Sequence, residues 1–154
     1  MTLALSHLTT LEVELAPALE VGRTATGVRR VIPITGGSFI GPRLSGTILP
    51  GGADWNLART DGITHLWARY TLRTDAGEHI MITNEGWGTQ DDETMRRIFS
   101  GQTQQEEGWY CRTQPQFEVD IDGPSAWLTE VVCVGSLRPP SRADRVTVDI
   151  YQVD

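Results

Sequence analysis

The segment from Gly51 to Arg59 holds residue types that could perform acid–base chemistry. Asp54 and Trp55 follow the Gly51-Gly52 pair, and Arg59 lies at the end of the same segment. Burial of a carboxyl group beside an indole raises its pKa, so Asp54 could serve as a general base at the mouth of a pocket. An aspartate after glycine is also a common turn-former that bonds its own backbone. The sequence leaves both interpretations open.

A second candidate is Arg69, which alternates with apolar residues along one strand-like segment and shares a face with Trp67. If that face points inward, the guanidinium needs a carboxylate partner, and Asp54, Glu118 and Glu130 are available. A planar guanidinium also suits an enolate, carboxylate or phenolate ligand. The alternative is that Arg69 faces solvent or forms a structural salt bridge.

Tyr110, Arg112 and Glu118 are separated by even numbers of residues, so an unbroken strand would point all three the same way. Tyr110 as a phenolic acid and Glu118 as a base would suit keto–enol chemistry. Pro115 lies between them and is typical of a strand edge or bulge. A Tyr–Arg–Glu network that only joins strands is the alternative.

The chain has five tryptophans, and a cluster of them around one cavity would bind a flat or apolar ligand. Trp55, Trp67 and Trp127 are the candidates for such a pocket. Some of the five are expected to be ordinary core residues.

Several chemistries are disfavoured by composition and motif. The 13 basic residues are all arginine, so neither Schiff-base catalysis nor a P-loop lysine is available. The histidines lack metal-ligand spacing, and no nucleophile elbow or dinucleotide fingerprint occurs. The net charge of −7 disfavours binding to nucleic acid. We therefore expect no cofactor, no metal, no nucleic acid and no membrane, and a small-molecule ligand.

The order of elements favours an all-β fold. Alternating or β-branched segments recur with glycine and proline turns between them, and no βαβ alternation appears. The clearest prediction is a hairpin of residues 64–74 with 78–86, and one short helix is predicted over 91–100, beside the polar segment QTQQEE. The other predicted strands cover 11–15, 29–34, 39–49, 55–59, 109–120, 126–137 and 146–153.

A closed antiparallel barrel of about eight to ten strands is preferred over a sandwich. Closure removes sheet edges, and seven of the 16 glycines fall between Gly36 and Gly62, where they could supply the coiling that closure requires. Such a barrel can hold one small ligand. The length of 154 residues indicates one domain, 1–154. Cys111 and Cys133 lie in apolar runs and are expected to be buried and reduced, in a cytoplasmic protein.

The combined motifs PITGGSFIGPRLSGTILPGGADW, ARYTLRTDAG, YCRTQPQFE, AWLTEVVCVGS and DIYQV resemble the domain-of-unknown-function family numbered 3237 over nearly the whole chain. The resemblance implies a small barrel of the calycin or allene-oxide-cyclase kind and brings no settled activity. Among the matching positions, Asn84 joins the tryptophans as a candidate for substrate binding.

Two positions depart from the family pattern. Trp67 stands where an acid is common, and Thr129-Glu130 follows where an asparagine is usual, so Glu130 or Glu118 could replace a lost acid.

Together these features predict a cofactor-free isomerase, cyclase or lyase acting on a small, apolar, carbonyl-bearing or aromatic compound inside the barrel. Asp54 or Glu118 would move a proton, and Arg69 and Arg112 would stabilise negative charge. The alternatives are a lipocalin-like carrier without turnover and a structural, homodimeric module.

Overall fold

The computed structural model describes residues 1–102 and 108–154 and consists mainly of strands. The strands in chain order are β1 Leu5–Leu15, β2 Leu19–Thr24, β3 Gly27–Ile40, β4 Gly46–Ile48, β5 Gly52–Arg59, β6 Thr64–Thr74, β7 His79–Gly88, β8 Cys111–Glu118, β9 Cys133–Leu137 and β10 Arg145–Val153. One α-helix, α1, covers Asp92–Phe99, and a short 3-10 helix covers Ala126–Thr129.

The sheet closes on itself, which confirms the predicted barrel. β1 pairs with both β10 and β3, and β9, β8, β7 and β6 follow β10 in order. β5 joins β6 back to β3, so eight antiparallel strands complete the ring. β2 extends β3 outward, and the three-residue β4 bridges β3 and β6.

The long strand β3 changes its pairing partner in the ring from β5 to β1 within the glycine-rich region. Its first half pairs with β5 and its second half with β1, and the change occurs near Gly36 and Gly37. Gly37 has φ +132°, and a Cβ at this position would lie 2.0 Å from the carbonyl oxygen of Glu12. Only glycine fits this close approach, which agrees with the coiling role predicted for the glycines between Gly36 and Gly62.

Alternation along each strand divides the barrel wall into an inner and an outer face. One end of the interior is filled by a tightly packed apolar core that includes Leu11, Phe39, Leu72, Ile80 and Ile150. The other end is not filled, and it is this end that α1 approaches.

Helix α1 lies at the position predicted from its spacing of apolar residues. The Asp91 side chain caps it by accepting a hydrogen bond from the backbone N–H of Thr94 at 2.9 Å. Met95 and Ile98 are buried against Ile32 of the barrel. The Arg30 guanidinium, 2% exposed, links α1 to β2 because it bonds both Asp92, at 2.5 Å, and Glu20, at 2.9 Å.

Two predicted strands are wrong in part. The segment 39–49 is divided, because 39–40 end β3, 41–45 lie outside the sheet, and only Gly46–Ile48 form β4. The segment 126–137 does not run as a single strand, because Leu128 and Glu130 donate backbone hydrogen bonds three residues back and form the 3-10 helix. Only Cys133–Leu137 belongs to the sheet. The predicted polar segment QTQQEE lies, except for its first residue, outside the described residues. Within residues 1–102 and 108–154, no helix is long and apolar enough to cross a membrane.

Candidate functional site

The unfilled end of the barrel is a cavity of about 100 Å³. One water molecule needs roughly 10–15 Å³ of such space, so the cavity has room for a small organic molecule. Apolar side chains from β1, β3, β10 and α1 form one wall, namely Val13, Leu15, Ile32, Ile34, Val146, Val148, Met95, Ile98 and Phe99. Polar side chains occur on β5 to β8 and just beyond β7, namely Asp54, Asn56, Tyr70, Asn84, Gln90 and Thr113. Three arginines between the end of β9 and the start of β10 also line it, namely Arg138, Arg142 and Arg145.

Asp54 is the one carboxyl group among the described residues that line this cavity, and it is 9% exposed. The backbone N–H of Trp67 donates to Oδ1 at 2.9 Å, and Nδ2 of Asn56 donates to Oδ2 at 3.1 Å. Burial raises the pKa of Asp54, although these two hydrogen bonds oppose the shift. A carboxyl group in this environment can exchange a proton with a bound ligand.

Strand register places Asp54 and Asn84 in one row across the inner face. Asp54 pairs with Ala68 on β6, and Ala68 pairs with Asn84 on β7. Two strand spacings separate the two backbones by about 9–10 Å. Because the residue between them is alanine, the space above it is open to a ligand that contacts both side chains.

Tyr70 lies on the same inner face, two residues beyond Ala68, and is 3% exposed. Burial raises the pKa of its phenol further above its ordinary value, and the nearby Asp54 charge adds to this shift. The phenol therefore stays neutral at physiological pH and can donate a hydrogen bond to a ligand oxygen.

Arg69 does not face the cavity, so the catalytic role considered for it is wrong and the solvent-facing alternative holds. In β6 the inner face carries Leu66, Ala68 and Tyr70, whereas Arg69 is exposed on the outer face. Trp67 and Trp55 share that outer face, where their ring centroids lie 5.5 Å apart with the ring planes tilted by 57°. Arg69, Trp67 and Trp55 therefore do not reach the cavity, because the residues that alternate with them along each strand line the interior.

Tyr110, Arg112 and Glu118 also lie outside the cavity, so their predicted convergence within the barrel is wrong. Tyr110 is 53% exposed and precedes β8, and the Arg112 guanidinium lies 4.9 Å from the centre of its ring. Glu118 is exposed at the end of β8. The inner face of this strand instead presents Thr113.

Of the remaining predicted binding residues, one lines the cavity and two lie outside it. Asn84 is buried and lines the cavity. Trp127 lies in the 3-10 helix with the Arg43 guanidinium 3.6 Å from its ring centre, and Glu130 is exposed after that helix, so neither reaches the cavity. The tryptophan that does line it is Trp109, whose indole N–H donates to the carbonyl oxygen of Leu137 at 2.8 Å.

Sequence reasoning missed Tyr70, Asn56, Gln90 and Thr113 as cavity residues. A signal was available for Tyr70, since it is the polar member of the apolar row Leu66, Ala68, Tyr70 and Leu72. Asn56 has the same parity as Asp54 along β5, so an inward Asp54 implies an inward Asn56.

Cys111 and Cys133 are buried free thiols, as predicted. Burial raises the pKa of Cys111 to about 12, which leaves it a poor nucleophile. Among the residues the structure describes, no group of three or more histidine, cysteine, aspartate or glutamate side chains is placed to hold a metal ion.

The fold and sequence are similar to those of several bacterial proteins. A UPF0311 protein of Rhodopseudomonas palustris is 34% identical over 152 residues, 99% of this chain and 97% of the relative. The crystal structure of a conserved protein of unknown function from that organism superposes with a TM-score of 0.87, covering 100% of this chain and 99% of the other. A β-barrel-like protein from Acinetobacter baumannii, also 34% identical, gives 0.83, with 100% and 98% covered.

A more distant likeness concerns the fold alone. The crystal structure of an enzyme from Penicillium herquei has a TM-score of 0.71 at 18% identity, covering 100% of this chain and 96% of the other. The family model described as "Protein of unknown function (DUF3237)" matches residues 3–153. The chain therefore belongs to the DUF3237 family of small β-barrel proteins.

Proposed function

We propose that this protein is a cofactor-free acid–base enzyme of the isomerase, cyclase or lyase type. Its substrate is a small, largely apolar compound that carries a carbonyl group and binds inside the barrel. The observation that carries the proposal is Asp54, a buried carboxyl group of raised pKa on the wall of a mainly apolar cavity.

Each polar residue has a role that its chemistry suits. Asp54 removes a proton from the carbon beside the substrate carbonyl and returns it at another position. The neutral Tyr70 phenol donates a hydrogen bond to the carbonyl oxygen, where negative charge develops as the enolate forms. Asn56 is a positioning residue that orients Asp54 through its side-chain nitrogen.

The apolar wall supports the same chemistry. Met95, Ile98 and Phe99 of α1 lie over the open end of the barrel and exclude water from the ligand. In a water-poor cavity, the hydrogen bond to the carbonyl oxygen and the basicity of the carboxylate are both stronger than in bulk water.

The Penicillium herquei neighbour, described as an enzyme, is consistent with a barrel of this shape supporting catalysis.

A carrier without turnover is the second candidate. It is favoured by one observation, which is that both oxygens of Asp54 already accept a hydrogen bond from the protein.

Exchange of substrate protons with solvent separates the two functions without knowledge of the natural substrate. The purified protein is incubated in D₂O with acetophenone, 1-indanone and 3,5-dihydroxyacetophenone, and deuterium at the carbon beside the carbonyl is measured by mass spectrometry. An enzyme accelerates exchange of at least one ketone above the rate in buffer. Binding without accelerated exchange would instead identify a carrier.

A further inference from the structure

Four buried oxygen atoms belonging to cavity residues lack a hydrogen-bond partner. They are Oδ1 of Asn56, Oδ1 of Asn84, Oε1 of Gln90 and Oγ1 of Thr113. These side chains are between 1% and 5% exposed. Buried polar atoms are nearly always hydrogen-bonded, because an unpaired one loses its hydration without compensation. Four such atoms around one cavity indicate that a ligand supplies the partners.

The orientation of two of the amides shows which kind of partner is missing. Nδ2 of Asn56 is occupied by Asp54, and Nε2 of Gln90 lies 3.8 Å from the Cys111 sulfur. Their carbonyl oxygens are therefore the unpaired ends. An amide oxygen accepts hydrogen bonds and cannot donate them, so the ligand must bring O–H or N–H groups.

The positions of the four atoms show where on the ligand those groups lie. They come from β5, β7, β8 and the residue before the α1 cap, which face the apolar wall of β1, β3 and β10 across the cavity. The Thr113 hydroxyl packs against its register partner Gly135 on β9, where a Cβ would lie 2.2 Å from Oγ1. Arg145, at the start of β10 on the opposite side, also lines the cavity, and its buried Nε lacks an acceptor. A ligand that fits therefore has donors along one edge and, along the other, hydrocarbon with an acceptor toward Arg145.

We infer that the substrate is a hydroxylated carbonyl compound whose hydroxyl groups lie along one edge and bind Asn56, Asn84, Gln90 and Thr113. This rests on the proposed function only for the presence of the carbonyl group. The hydroxyl edge follows from the unpaired oxygens, and it also disfavours carboxylate or phosphate groups there, because those bring only acceptors.

Binding of two matched probes tests the inference. The probes are 3,5-dihydroxyacetophenone and 3,5-dimethylacetophenone, which differ by two hydroxyl groups replaced with methyl groups of similar size. Isothermal titration calorimetry gives Kd for each, and the ratio of Kd for the dimethyl probe to Kd for the dihydroxy probe measures the preference for hydroxyl groups.

The ratio is expected to fall by about tenfold in Asn84→Leu and in Thr113→Val. Each substitution removes one hydrogen-bond acceptor from the cavity and replaces the side chain with an apolar one of similar shape. Gln114→Leu, on the exposed outer face beside Thr113, is the control and should keep the wild-type ratio. Thr113→Val preserves shape closely, so it keeps the test valid if Asn84→Leu does not fold.

An unchanged ratio in the cavity variants would overturn the inference, as would failure of the wild type to bind the dihydroxy probe at millimolar concentration. Because the readout is binding, it is independent of turnover. A preference for hydroxyl groups without deuterium exchange would leave this inference standing and remove the proposed catalysis. Exchange without such a preference would do the reverse.

Discussion

Asp54 and Asn84 lie on either side of Ala68 in a single cross-strand row on the inner face of the barrel. A carboxyl group and an amide are thus held on rigid strands with a small residue between them. Rigid placement matters because a catalytic group must be oriented before the substrate arrives. This row is the part of the molecule on which the proposed chemistry depends most.

The raised pKa of Asp54 makes a prediction about stability. A carboxyl group whose pKa is higher in the folded than in the unfolded protein binds more protons when folded, so its contribution to stability falls as pH rises from the unfolded pKa through the folded pKa. Asp54→Asn removes the titrating carboxyl group, so the variant does not lose this stability as pH rises. The variant should be more stable than wild type above that range, and the difference should shrink on acidification, as measured by urea unfolding at several pH values.

The amide can replace the carboxyl group without losing hydrogen bonds, which is why Asp54→Asn is a suitable variant. Its Oδ1 can accept from Trp67. Its Nδ2 can donate to Oδ1 of Asn56 once the Asn56 amide turns over, because Asn56 otherwise presents Nδ2 to this position. A stability difference that does not vary with pH would contradict the assignment of a raised pKa.

Tyr70→Phe should impair turnover more than binding. Removing one donor to a developing oxyanion typically lowers kcat by about 10²–10³, whereas the ring itself still fills its place in the wall. Deuterium exchange rates at saturating ketone give the effect on turnover, and calorimetry gives Kd. Tyr110→Phe is the matched control, since Tyr110 is exposed outside the barrel and should change neither quantity. Equal exchange by Tyr70→Phe and wild type would remove Tyr70 from the mechanism.

The buried Arg30 guanidinium should hold α1 and β2 against the barrel. The double variant Glu20→Gln, Asp92→Asn leaves this charge buried without a carboxylate. Because Glu20 is 55% and Asp92 is 33% exposed, the loss should be about 1–3 kcal/mol, below the cost of breaking a fully buried pair. Urea unfolding measures the loss. Asp61→Asn, which breaks the exposed pair with Arg59, is the control and should shift the midpoint little. If both variants unfolded at the same urea concentration, Arg30 would have no such role.

How far the sequence predicts the site is clearest in β6. Alternation correctly separates Leu66, Ala68, Tyr70 and Leu72 from Trp67, Arg69 and Thr71. Alternation does not say which set faces inward, and the roles considered for Trp67 and Arg69 required their set to be inside. The more apolar set lines the interior, because burying the Arg69 guanidinium there without a partner would cost free energy. Leaving the Trp67 indole on the outer surface costs little, because it packs against the Trp55 indole.

The barrel itself was more predictable than its cavity. Turn residues, alternation and the glycines near Gly37 indicate closure, because they act locally along the chain. The cavity depends instead on register between distant strands, such as the row that joins Asp54 to Asn84. Asp54 was identified because its residue type and position suggested chemistry, whereas Tyr70 and Thr113 acquire a role only from that register.

The most direct test of the account compares wild type, Asp54→Asn and Glu118→Gln in the deuterium-exchange assay, with Kd measured for the same ketone. Asp54→Asn should bind the ketone as wild type does and lose about 10²–10⁴-fold in exchange rate, the usual contribution of a general base. Glu118→Gln, changed at an exposed carboxylate outside the barrel, should retain the wild-type rate. Exchange by Asp54→Asn at the wild-type rate would contradict the central claim that Asp54 moves the proton.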